Sequence, residues 1–231
     1  MVQRDVIRIG AAAGWIALVG IVALLIAYPV LIAGQPPTSA TPTAEAMSYF
    51  RHPEFAVINA ILAVFVGIVA VVPFGLGLRA VIRASNDGRA GAFADIGMAL
   101  LLVALPAYVI SGALGATLTV IADGDAGIFV PMFRLYELLY NGAADVLEGA
   151  WIGAFSLAGL SGAFPRWLAW LGIVVGVGRW IKAFGAVVVL PSAIGLLGGL
   201  LFVAWFLGAA VVLTRAAGQP ARMGTAAVPA G

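Results

Sequence analysis

Residues 142–162 read GAADVLEGAWIGAFSLAGLSG, residues 163–166 read AFPR, and residues 167–190 read WLAWLGIVVGVGRWIKAFGAVVVL. Two long apolar runs separated by a four-residue turn with proline and arginine describe a helical hairpin of membrane-crossing length, since about 20 apolar residues span a bilayer. The rest of the chain repeats the pattern. Further runs cover Gly10 to Ala33, Phe55 to Leu78, Ala92 to Ala122 and Ser192 to Thr214. With the fourth run at 142–162 and the fifth at 167–190, six spans of about 20 or more residues are expected. None alternates with period two over several segments, so an all-α polytopic transmembrane bundle is predicted and a β-barrel is not.

Composition agrees with that reading. Of 231 residues 63% are hydrophobic and 10% charged, and the mean hydropathy is +1.12, far from a soluble domain, in which about a quarter of residues carry charge. One membrane domain is expected over 1–231, with 215–231 a flexible cytoplasmic tail. The first run follows Arg4 and Arg8 like a signal peptide, but its 24 residues exceed an h-region of about 7 to 15, so it is expected to remain as an anchor. Gly34 to Glu54, with Pro36, Pro37, Pro42 and Pro53, reads as an irregular extramembrane loop.

Charge sets the orientation. Arg4, Arg8, Arg79, Arg83, Arg89, Arg166, Arg215 and Arg222 all fall on one side of an even number of spans, which the positive-inside rule makes cytoplasmic. Both termini then face the cytoplasm. A five-span alternative, with Arg179 and Lys182 in a loop, puts Arg215 and Arg222 outside. Lysine occurs only once, at Lys182, among arginine-, alanine- and glycine-rich sequence, a composition expected of a GC-rich bacterial genome and hence of a bacterial cytoplasmic membrane.

Charges inside apolar spans cost about 2.5 to 3.5 kcal/mol each on insertion scales and normally find partners inside the bundle. Arg134, Glu137, Asn141, Asp145 and Glu148 recur at three- and four-residue spacing, which at about 100° per residue places them within an arc of about 80° on one helix face. Span five carries Arg179 and Lys182. Counting about 1.5 Å per residue away from the turn at Pro165 puts Glu148 at about 20 Å and Arg179 at about 18 Å, with Asp145 at about 24 Å and Lys182 at about 23 Å. Glu148 is therefore expected beside Arg179 and Asp145 beside Lys182, with Asn59 and Asn141 completing a polar pocket. Two uses fit: a charge cluster that locks helices, or a ligand site for a small polar solute or a proton.

Other features exclude more than they suggest. The chain has no cysteine and one histidine, His52, so disulfides, thiolate metal sites and bis-histidine haem are out. No metal or cofactor is expected. Gly159-Leu160-Ser161-Gly162 matches the serine string of rhomboid intramembrane proteases, yet His52 lies on the other side of the membrane, so Ser161 lacks the base a nucleophile needs. Asp123-Gly124-Asp125 lacks the later ligands of a calcium loop. The charges are scattered, which leaves no nucleic-acid footprint.

The segment Ala163-Phe164-Pro165-Arg166-Trp167-Leu168-Ala169-Trp170-Leu171-Gly172 resembles a hairpin of a domain-of-unknown-function family of small six-span bacterial membrane proteins. That resemblance covers about the last third of the chain and implies the six-span architecture without an activity. A non-catalytic accessory, scaffold or regulatory membrane subunit is the expected function, with the lipid bilayer and another membrane protein or a second copy as partners. The rival expectation is a small-solute or proton-coupled carrier using Asp145, Glu148, Arg179 and Lys182.

Overall fold

A computed structural model describes residues 2–31, 37–38, 40–60, 68–85, 87–184 and 192–219, without the side chains of 2, 24–25, 27–31, 59–60 and 192–196. Among the described residues there are helices and turns and no strand. In chain order they are α1 (Val2–Leu31), α2 (Thr43–Phe50), α3 (Pro53–Ala60), α4 (Val71–Arg83), α5 (Gly88–Ile121), α6 (Ala126–Glu137), α7 (Asp145–Gly159), α8 (Arg166–Phe184) and α9 (Ser192–Gly218). A wide π-helical segment, Leu138–Ala144, joins α6 to α7. Four helices are long and apolar enough to cross a membrane, over Gln3–Ala23, Gly88–Ile121, Arg166–Phe184 and Leu197–Gly218.

Several boundaries differ from the sequence reading. The proline-rich segment expected to be an irregular loop contains α2, and Pro53 opens α3, because proline fits the first helical position where its missing N–H is not needed. Arg79 and Arg83, read as part of a connection, are helical: α4 runs to Arg83, and the first turns of α1 and α5 likewise extend beyond the apolar cores. The fourth apolar run continues a helical stretch that begins at Ala126. Residues 61–67 of the second run and 185–191 beyond α8 lie outside the described residues. Of the expected flexible tail, 215–218 are helical within α9, and 220–231 are outside the description.

Local chemistry explains the helix starts. Asp87 caps α5, its Oδ1 accepting from the backbone N–H of Arg89 at 2.9 Å and of Ala90 at 3.1 Å; Asp125 does the same for Gly127 at 2.8 Å in α6. Such caps satisfy N–H groups that the first turn leaves orphaned. Between α7 and α8 the chain reverses at Gly162, whose φ of 100° suits a residue without a Cβ. The Pro165 carbonyl then accepts from the Leu168 N–H at 2.9 Å as α8 begins.

Two cores result. The larger is built by α1, α4, α5, α7, α8 and α9 around Phe74, Trp151, Phe155, Trp205 and Phe206. The smaller caps one end, where Tyr49, Phe50, Phe55, Phe129, Phe133 and Tyr136 bring α2, α3 and α6 onto the end of α5. Within the bundle, a Cβ on Gly10 would meet Gly77 Cα at 2.6 Å, one on Gly77 would meet Leu213 at 3.3 Å, and one on Gly208 would meet Leu168 at 2.7 Å. The start of α1 and the ends of α4 and α9 therefore share a level, with the start of α8 beside α9. Opposite the cap, Asp95 of α5 pairs with Arg79 of α4 at 2.6 Å and with Arg83.

Candidate functional site

Helix α7 reaches α8 at a crossing where the backbones of Gly149 and Gly176 meet. A Cβ on Gly149 would lie 2.5 Å from the carbonyl oxygen of Gly176, and one on Gly172 would lie 1.9 Å from Ser156 Oγ. Glycines at such crossings let helix backbones approach closely in lipid. Trp180 adds a tie, its Nε1–H donating to the Val146 carbonyl at 3.0 Å. One turn beyond this crossing, the charges of α8 fall onto those of α7.

Arg179 stands between two carboxylates, with Nη1 3.1 Å from Asp145 Oδ1 and Nε 3.1 Å from Glu148 Oε2. The first contact is a hydrogen bond. The second is electrostatic, because Nε is buried without a partner in hydrogen-bond geometry. Lys182 donates to Asp145 Oδ2 at 2.7 Å and to Asn141 Oδ1 at 3.4 Å. Asp145 thus uses one oxygen for each cation. Aromatic rings close the group: the Arg179 guanidinium carbon lies 4.5 Å from the Phe202 ring centre, and Lys182 Nζ lies 5.9 Å from that of Tyr140. Side-chain exposure rises from 4% at Asp145 through 13% at Glu148 and 16% at Arg179 to 35% at Lys182.

Of the other expected members, Asn141 joins the quartet through Lys182. Arg134 is exposed on α6, lining a shallow groove with Thr41, Thr43 and Phe133. Glu137 is buried at the end of α6. A single stripe from Arg134 to Glu148 assumes one uninterrupted α-helix, and the π-helical segment Leu138–Ala144 turns α6 relative to α7. The side chain of Asn59 lies outside the described residues. Sequence reasoning missed Tyr108 of α5, which lies within electrostatic reach of Glu148, Arg179 and Asp145, and Phe202 of α9. A tyrosine in the middle of an apolar run was the available signal for the first; an apolar ring among many gave none for the second.

The quartet is balanced, two cations against two carboxylates, and bordered by a recess of about 30 Å³. Ser161 donates to the Ala158 carbonyl at 2.8 Å at the α7–α8 turn. His52 adjoins Arg51, which reaches the Ala122 carbonyl beyond the other end of α5. Among the described residues no group of three or more His, Cys, Asp or Glu side chains is arranged to hold a metal. Compared with protein-family models, with curated proteins and with solved structures, the chain matches none.

Proposed function

We propose that this chain is a non-catalytic integral membrane protein of the bacterial cytoplasmic membrane, an accessory, scaffold or regulatory subunit with six spans and both termini cytoplasmic. It belongs, on this reading, with the small six-span proteins that its Ala163–Gly172 turn resembles. One observation carries the proposal: Asp145 faces a cation with each of its oxygens, so that both are engaged within the bundle. Paired charges of this kind hold helices together in lipid.

The six-span count is supported by the helical stretch 126–159 that α6 and α7 make with the π-helical segment between them, and by α3 and α4 at the two ends of the second apolar run, beside the four apolar helices. The intact mass of the protein in a mild detergent tests the functional reading. A second protein at fixed ratio is the expected result. A lone chain or homo-oligomer that retains a small solute, lost in Glu148→Ala, would overturn it in favour of a carrier.

A further inference from the structure

Helices α8 and α9 form the two walls of the recess beside the quartet: Val174, Val175, Gly178, Arg179 and Lys182 on one side, Gly198 and Leu201 on the other. The charges are sorted. Both cations line the recess, whereas Asp145 and Glu148 stand behind them on α7, only 4% and 13% exposed against 35% for Lys182. The quartet is neutral as a whole, yet its positive side faces outward. An anion in the recess lies closer to the cations than to the carboxylates, and weak screening beside lipid strengthens that difference.

Depth fixes what kind of anion fits. Counted from Arg166, where α8 starts, Lys182 lies about 24 Å along the helix, toward the far side of a hydrocarbon core about 30 Å thick and within reach of that leaflet's headgroups for a long cationic side chain. Val174 lies about 12 Å deeper. Below the cations the wall is hollow among the described residues, where a Cβ on Gly178 or on Gly198 would meet nothing within 4 Å. Val174, Val177, Leu197 and Leu200 flank this hollow as exposed apolar side chains. A cationic rim above an apolar furrow has the polarity of a lipid.

We propose that the α8–α9 recess binds an anionic phospholipid, its phosphate against Lys182 and Arg179 and one acyl chain along Gly178, Gly198 and Val174. The assignment is independent of whether the chain serves a partner subunit. Native mass spectrometry of delipidated protein tests it with phosphatidylglycerol, with phosphatidylcholine of the same chains, and with inorganic phosphate. One phosphatidylglycerol is expected per chain, retained about fivefold better than phosphatidylcholine, the factor that one nearby basic side chain contributes. Lys182→Gln is expected to abolish the preference. Gly178→Leu and Gly198→Leu, which fill open space, are expected to reduce retention of both lipids without lowering the melting temperature, and they carry the test if Lys182→Gln fails to fold. Equal retention of the two lipids, retention unchanged in both glycine variants, or displacement of the lipid by inorganic phosphate would each overturn the proposal.

Discussion

Gly149 and Gly176 meet backbone to backbone: a Cβ on either would come within 2.7 Å of the other's carbonyl oxygen. Neither carbonyl can move without disturbing its own helix. Gly149→Ala and Gly176→Ala should therefore each destabilise the protein by about 1 to 3 kcal/mol, the usual cost of overpacking. Gly153, four residues along the same face, has open space where its Cβ would go. Gly153→Ala should be neutral or slightly stabilising, because alanine is the better helix former by about 1 kcal/mol. Thermal unfolding in detergent of the three variants separates contact from mere spacing; equal effects at Gly149 and Gly153 would refute the crossing.

The Asp145 and Glu148 carboxylates should differ in what their removal costs. Asp145 faces both Arg179 and Lys182, while Glu148 faces Arg179 alone. Asp145→Asn leaves Lys182 without an anion and should cost about 3 to 5 kcal/mol, as breaking a buried pair does. In Glu148→Gln, Arg179 keeps Asp145, so a smaller loss is expected. Melting temperatures of the two variants give the order directly, and the reverse order would mean that Glu148 anchors the cluster.

The pairing of α7 with α8 was legible because charges are scarce in the apolar runs and the turn at Pro165 fixes a common origin from which to count depth. Counting gives levels and not rotations. It brought Glu148 to Arg179 and Asp145 to Lys182, but the second contact of Arg179, with Asp145, depends on how α8 is turned about its axis. Arg134 was drawn onto the same stripe because a π-helical segment has no clear signature in Leu138-Leu139-Tyr140-Asn141-Gly142. Helix α2 was hidden for a related reason: its eight residues lie among prolines that read as loop, and its stability comes from packing Phe50 against Phe129 and Phe133, contacts distant in sequence.

The aromatic cap should respond to alkali through Tyr49. Burial, with the neighbouring Tyr140 adding to it, pushes its hydroxyl up to about 12, above the value of about 10 that an unfolded tyrosine shows. A folded state that holds its proton more tightly has that stabilisation in full below pH 10 and loses it as pH climbs toward 12. Melting temperatures recorded across that interval should fall, and Tyr49→Phe, which keeps the ring between Phe50 and Phe55, should flatten the decline. An unchanged decline in Tyr49→Phe would assign the alkaline sensitivity elsewhere.

The topology is open to a direct test because the chain contains no cysteine, so single cysteines report their own positions. Gly10 packs at Gly77, Gly77 approaches Leu213, and Leu168 lies against Gly208; these contacts put the arginine-rich helix ends Arg4, Arg8, Arg79, Arg83 and Arg215 near one level. The α5–α6 turn, with Asp123 and Asp125, belongs to the opposite end. The positive-inside rule predicts that the arginine-rich end is cytoplasmic. Gly124→Cys should react with a membrane-impermeant maleimide on intact cells, while Ser161→Cys and Gln219→Cys should react only after permeabilisation. A five-span chain would split Ser161 from Gln219, exposing Gln219→Cys outside. Labelling of both from outside would instead invert the whole bundle, placing the Lys182 end of α8 in the cytoplasmic leaflet.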